Sequence, residues 1–288
     1  MSDGTSLINI GELAKPATTL IEKIADATGV LYEPRRIRKR AKAEAEAELI
    51  KVKAQIEITD LQRRALTRFV QEEAKKQENI EDITEGTIPL LNENSTPEKI
   101  EDDRMSNFFD KCRIVSDKEM QTLWSKVLAG EANQPNSFSK RTVNFLASLN
   151  KSDAELFTNL CRFAIVLNDL IPLIYNTEDP IYTNLGLNFT SISHLDSIGL
   201  ISYNKLGFLR KGNFQSLPIF YYGNSLLVEF KEFTMNSFKV GEVNLTQTGK
   251  ELARICNSKP LDKFVDYAVE KWIKEQNLNV SSPYLRKS

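Results

Sequence analysis

From Arg35 to Glu78 the chain contains neither glycine nor proline and is dominated by Ala, Glu, Lys, Arg, Gln and Leu. Such a composition favours helix and leaves no internal punctuation to break it. At about 1.5 Å per residue the stretch predicts a helix reaching roughly 65 Å. One apolar stripe runs through Ala47, Ile50, Ala54, Ile58, Leu61, Ala65 and Phe69 in steps of three, four and four, an eleven-residue period that favours nearly straight or slightly right-handed packing. A second, through Leu49, Val52, Ile56, Leu66 and Val70, is interrupted at Thr59 and Arg63, so the apolar face is broader than a two-stranded seam. Lys53 with Glu57, Asp60 with Arg64 and Glu72 with Lys76 support the solvated side at four-residue spacing. A helix this long cannot bury both stripes alone. It is expected to find partners, most economically the same helix of other subunits, with Ile50, Ala54, Ile58, Leu61 and Phe69 carrying a homo-oligomeric contact.

Charge is strongly local in this chain. The 38 Lys and Arg nearly cancel the 39 Asp and Glu, so no global field argues for a polyanionic partner. Arg35, Arg36, Arg38, Lys39, Arg40 and Lys42 are nevertheless packed together at the start of the predicted long helix. Just before them, residues 13–28 place Leu13, Ala17, Leu20, Ile21, Ile24 and Ala25 at helical spacing, with Pro16 in the first turn and Gly29 as a stop. An amphipathic helix beside a cationic cluster fits self-assembly, and it also fits nucleic-acid phosphates or peripheral contact with an anionic membrane.

The expected order of domains follows the punctuation. Residues 1–34 hold the amphipathic helix and 35–79 the long charged helix. Residues 80–103, rich in Glu, Asp, Asn, Gly and Pro, predict an acidic linker. Residues 104–168 predict a central helical bundle, with Ser116 and Glu119 as a capping pair, Gly130 as a stop and Ser152 with Glu155 as a second pair. Residues 169–258 switch to an α+β pattern: a helix over 190–198 closed by Gly199, a strand over 200–203, turns at Gly207, Gly212 and Pro218, and strands over 219–222 and 226–233. Thr246 is placed to cap a short helix, and residues 259–288 supply a final helix and tail. The fold class is therefore mostly α with a C-terminal α+β module whose helix-then-hairpin order is winged-helix-like. The helix over 190–198 offers Ser191, Ser193, His194 and Asp196 but no cation, which suits a protein-recognition module better than a base-reading one, with Arg210 and Lys211 as the only wing cations.

Catalytic signatures are sparse. His194 is the single histidine and is expected as a partly buried packing residue. Cys112, Cys161 and Cys256 are too scattered for a metal knuckle, and their odd number suits a reducing compartment. The glycine spacing at Gly207 and Gly212 is followed by Asn213 and Phe214, which excludes a phosphate-binding P-loop. Glu229-Phe230-Lys231 matches a short metal-dependent nuclease element, with Asp196 or Asp179 as a second carboxylate; such a triplet arises often by chance, and a solvated cross-strand charge pair is the simpler reading. No cofactor is expected. Residues 1–11 lack the basic and apolar regions of a signal peptide, and no window is apolar enough to span a bilayer, so a cytoplasmic location is expected.

Several phrases also carry a resemblance. Lys15-Pro16, Leu20-Ile21-Glu22-Lys23-Ile24, Tyr32-Glu33-Pro34-Arg35-Arg36-Ile37, Met120-Gln121-Thr122-Leu123-Trp124, Leu128-Ala129-Gly130-Glu131 and Leu245-Thr246-Gln247-Thr248-Gly249 resemble an uncharacterised bacterial family of unknown function. Abortive-infection alpha-type proteins are similar in part. The resemblance implies a bacterial protein with a role in phage defence and transfers no active residue. The chain is thus expected to be a non-enzymatic assembly or sensor protein that self-associates through its N-terminal helices and binds a protein through its C-terminal module. The alternatives are a nucleic-acid binder using Arg35 to Lys42, and a metal-dependent nuclease.

Overall fold

A computed structural model describes residues 15–29 and 59–282, so the expectations placed on Arg35, Arg36, Arg38, Lys39, Arg40 and Lys42 and on Ile50, Ala54 and Ile58 lie outside the described residues. The chain divides into two compact units, Met1–Ala147 and Ser148–Ser288.

In the first unit α1 (Lys15–Thr28) buries Ala17, Leu20, Ile21 and Ile24, the stripe read from its sequence. A helix unbroken from Arg35 does not occur, because Thr59 is extended (φ −64°, ψ 156°) and caps α2 (Asp60–Thr87). Its side chain accepts from the Gln62 backbone N–H while the Gln62 side chain accepts from that of Thr59, a reciprocal cap. The acidic stretch expected as a linker over residues 80–103 begins inside the last turns of α2, where Ile80, Ile83, Thr84 and Thr87 are buried. Its polar residues mislead because they serve packing. Gly86 lets α2 approach α4 (Lys118–Asn133) so closely that a Cβ would stand 2.7 Å from Ser125 Oγ. Ser125 Oγ donates to the Ile83 carbonyl at 2.9 Å, and Gln121 Nε2 donates to Asn79 Oδ1 at 3.1 Å. α3 (Asp102–Cys112) stacks Phe108 edge-on against the buried Trp124 at 5.1 Å, and α5 (Lys140–Leu146) completes this unit.

Two caps and one stop fall elsewhere than expected. Asp117, not Ser116, caps α4 by accepting from the Glu119 and Met120 amides, both at 3.0 Å. Gly130 does not end α4, which runs on to Asn133; its missing side chain makes room for Phe138, whose ring would lie 2.5 Å from a Cβ. Asn150, not Ser152, precedes α6 (Lys151–Cys161), which belongs to the second unit.

The second unit holds two antiparallel sheets. β1 (Ala164–Leu167), β2 (Asp169–Pro172), β4 (Ser216–Tyr221), β5 (Asn224–Glu229) and β7 (Asn279–Ser281) form one in the order β2-β1-β4-β5-β7. β3 (Ile201–Gly212) and β6 (Asn236–Leu245) form the other. β1 and β2 lie at the expected end of the central bundle or just beyond it. The expected wing is also rearranged: β3 is one long strand with a bulge around Gly207, it pairs with β6, and the β4–β5 hairpin joins the other sheet. Mixed α+β architecture is therefore present, with the α helices α7 (Pro180–Thr183), α8 (Phe189–Ser197), α9 (Gln247–Ala253) and α10 (Phe264–Gln276) beside the sheets. Thr246 does cap α9, accepting from the Gly249 amide at 3.1 Å. The core gathers Phe163, Tyr182 and Phe264 edge to edge at 4.8–5.1 Å, and Trp272 Nε1 donates to Tyr175 Oη at 2.6 Å. Among the described residues no helix is long and apolar enough to cross a membrane.

Candidate interaction surfaces

α2 has two halves of different character. From Asn79 onward one side of the helix is buried against its neighbours. From Asp60 to Glu78 no residue is buried, and Leu61 and Phe69 are 69% and 60% exposed. Thr87 follows Phe69 by eighteen residues, five whole turns, and Ile80 follows it by eleven, about three turns. The uncovered apolar residues therefore lie on the same side of the helix that the bundle covers farther along. Ala65 and Leu66 share that side at three- and four-residue spacing from Phe69. Of the predicted oligomerisation residues, Leu61 and Phe69 are thus placed together on one exposed face.

The charges around this face are ordered along the helix. Arg63, Arg64 and Arg68 occupy its first half, Glu72 and Glu73 its second. Arg64 Nε lies 3.4 Å from Asp60, Arg68 Nε 3.5 Å from Glu72, and Lys76 Nζ 2.6 Å from Glu73, all within the helix, the first two pairs exposed and Lys76 half-buried. Such pairs contribute little to stability. Arg63 has no ionic partner among the described residues.

The second unit presents an apolar sheet face. Val166 pairs in register with Phe220, and Pro218 with Leu227; Val166, Phe220 and Leu227 are 43%, 47% and 38% exposed. The opposite face buries Ile219, Tyr221, Leu226 and Val228, with Tyr221 against Phe264 at 5.2 Å. The alternation of these strands turns one side to the core and leaves hydrophobic side chains on the other.

A cleft of about 380 Å³ is lined by Asp179, Tyr267, Glu270, Lys271 and Glu275. Tyr267 Oη donates to Asp179 at 2.5 Å, and Lys271 pairs with Glu275 at 2.8 Å. Burial raises the Tyr267 phenol above its ordinary value, and the hydrogen bond to Glu275 raises the Lys271 ammonium. Both shifts lead away from neutrality, which suits a standing ion-pair network better than proton transfer.

Glu242 on β6 is a half-buried carboxylate whose surroundings favour its protonated form. Its Oε2 is buried without a hydrogen-bond partner among the described residues, and burial raises its proton affinity. A raised folded value means that stability is fully present below the ordinary carboxylate range and falls as pH rises through the folded value. Glu242→Gln is therefore expected to raise the thermal midpoint at pH 7 and to leave it nearly unchanged at pH 4. A pH series of melting curves for both proteins checks this, and a lower midpoint at pH 7 would refute it.

The remaining candidates are dispersed. His194 is exposed and bonds Asp153 through Nε2 at 2.9 Å, a surface contact in place of the expected packing role. Arg210 and Lys211 are exposed on β3. Glu229 ends β5, Phe230 is buried, and Lys231 donates to Asn277, so Glu229 and Lys231 do not share a strand face. Asp196 accepts from the Tyr203 amide at 3.1 Å and Asp179 is held by Tyr267. Among the described residues no three His, Cys, Asp or Glu side chains group as a metal site. The apolar face of α2 is legible in the sequence as a stripe, whereas the sheet face needs the pairing of strands far apart in the chain. A family model described as "Protein of unknown function (DUF2806)" matches residues 63–268, a span that begins inside the exposed half of α2 and ends in α10. No curated protein and no solved structure matches the chain.

Proposed function

The chain belongs to the DUF2806 family of proteins of unknown function, and we propose that it is a non-enzymatic assembly protein that self-associates through the projecting half of α2 and displays its C-terminal α+β unit to a protein partner. One observation carries this reading: the apolar side of α2 that packs within the bundle from Asn79 onward continues bare through Phe69, Ala65 and Leu61. A helical stretch with such a face is stabilised chiefly by tertiary or quaternary packing. The exposed face formed by Val166, Phe220 and Leu227 supports a second contact, since grouped surface hydrophobes mark interaction sites. Repetition of that face in one particle would raise avidity without new contacts. The proposed setting is bacterial phage defence, on the partial likeness to abortive-infection alpha-type proteins.

Sedimentation velocity over a wide concentration range tests the assembly. The wild-type chain should pass from monomer to a larger species, and Leu61→Glu with Phe69→Glu should weaken that association at least about tenfold, since each buried apolar side chain is worth on the order of 1.5–3 kcal/mol. Both positions are exposed, so thermal unfolding of the isolated subunit should be unchanged. A wild-type chain that remains monomeric at every concentration would sink the reading.

A further inference from the structure

We infer that the α2 segments of two copies pair antiparallel about a two-fold axis near Arg68. This rests on the assembly reading and adds orientation, register and stoichiometry to it. The observation is the order of charges along the bare half of the helix: Asp60, Arg63, Arg64 and Arg68, followed by Glu72, Glu73, Lys75, Lys76 and Glu78. In a parallel pair, like residues stand at the same level, so arginine meets arginine and glutamate meets glutamate. In an antiparallel pair centred on Arg68, each residue meets the one equally far beyond the centre. Arg63 then stands level with Glu73, Arg64 with Glu72 and Asp60 with Lys76.

The flanks agree with the levels. At about 100° per residue, Arg63, Leu66, Val70 and Glu73 fall on one side of the line through Phe69, while Arg64, Arg68 and Glu72 fall on the other. Antiparallel helices bring the same flank together, as in antiparallel coiled coils. Leu66 therefore meets Val70 of the second copy beneath an Arg63–Glu73 pair, and the two Phe69 rings meet beside the axis. On the other flank Glu72, already 3.5 Å from Arg68 of its own helix, is offered Arg64 of the second copy. Arg63, which has no ionic partner within the described residues, gains one.

Length supports the same register. The bare segment runs from Asp60 to Glu78, and pairing about Arg68 sets Thr59 level with Gln77, so the segment of one copy ends where the bundle of the other begins, at Asn79. The interface is isologous, hence closed: each copy uses its face once and a dimer results. The two positions equivalent to Asn79 are then separated along the axis by about 33 Å, at roughly 1.5 Å per residue. The bundles sit at opposite ends of the paired segment.

Cysteine pairing on the full-length chain with Cys256→Ser tests orientation, the buried Cys112 and Cys161 being retained. A mixture of Leu66→Cys and Val70→Cys proteins should form a disulfide-linked heterodimer on mild oxidation, and Leu61→Cys alone should not cross-link, its two copies being about 21 Å apart along the axis. Arg63→Glu with Arg64→Glu should weaken dimerisation about tenfold or more. Adding Glu72→Arg and Glu73→Arg to that protein should restore it. A dimer in which Leu61→Cys links to itself, or in which the fourfold swap gives no recovery, would overturn the antiparallel register while leaving self-association standing. A monomer by sedimentation would remove both.

Discussion

Glu131→Ala is expected to destabilise the first unit by about 3–5 kcal/mol, the usual consequence of removing one partner of a buried ion pair. Glu131 lies near the C-terminal end of α4 and is only 6% exposed. Its carboxylate accepts from Arg104 Nη2 at 2.9 Å and from the backbone amides of Phe138 at 2.6 Å and Asn136 at 3.2 Å. It thus closes α4 onto α3 and fixes the turn that follows it. Alanine would leave the Arg104 guanidinium, itself 15% exposed, without its carboxylate and would strand both amides. Glu131→Gln keeps an acceptor and loses only the charge, so it should cost less. Each unit contains one tryptophan, Trp124 in the first and Trp272 in the second. A Trp272→Phe background therefore lets urea unfolding followed by fluorescence report the first unit alone. Equal midpoints for Glu131→Ala and the exposed surface change Asp110→Ala in that background would refute the assignment.

The role of Glu131 is not legible in the sequence, for a physical reason. A glutamate in a helix with leucine, valine and tryptophan around it reads as a solvated position, because helical periodicity locates faces and says nothing of a guanidinium that arrives from another helix. Long-range polar satisfaction is illegible in the same way for Asn79 and Gln121, which read as surface residues and bond each other inside the bundle. Apolar periodicity fares better. The stripe of α1, the Thr246 cap and the Leu61–Phe69 face of α2 are all written locally. The break at Thr59 is visible only as an interruption of one stripe, since threonine is tolerated within helices and becomes a cap only when its backbone is extended. Glycines mislead for a related reason. Gly130 reads as a helix stop, yet it sits inside α4 because Phe138 needs the space. Glycine signals either a conformation or a close approach, and sequence alone does not separate the two. The sheets are the least legible, for β3 with β6 and β1 with β4 are pairings across long separations that no hairpin signal announces.

Gly241 combines both meanings of glycine, and Gly241→Ala is expected to destabilise the second unit strongly. Its φ is +104°, where an L side chain is strained, by about 1–3 kcal/mol. An added Cβ would also stand 2.4 Å from the Ile174 carbonyl oxygen and 2.8 Å from its carbon. These are backbone atoms, so no rotamer change relieves the clash, and overpacking of this kind adds about 1–3 kcal/mol. Moving β6 away would also break the hydrogen bond from the Glu242 amide to the Ile174 carbonyl, 2.6 Å, and disturb Tyr175, which receives the Trp272 indole N–H. Gly223 provides the control. It too has a positive φ, +86°, but nothing lies within 4 Å of where an added methyl would stand, so alanine there should cost only the conformational part, about 1–2 kcal/mol. In a Trp124→Phe background, fluorescence-detected unfolding should show a clearly larger loss for Gly241→Ala than for Gly223→Ala. Equal losses would mean that φ alone matters and that the Ile174 contact yields freely. A larger loss at Gly241 would identify the β6 crossing at Ile174 as the point on which the packing of Tyr175 and Trp272 depends.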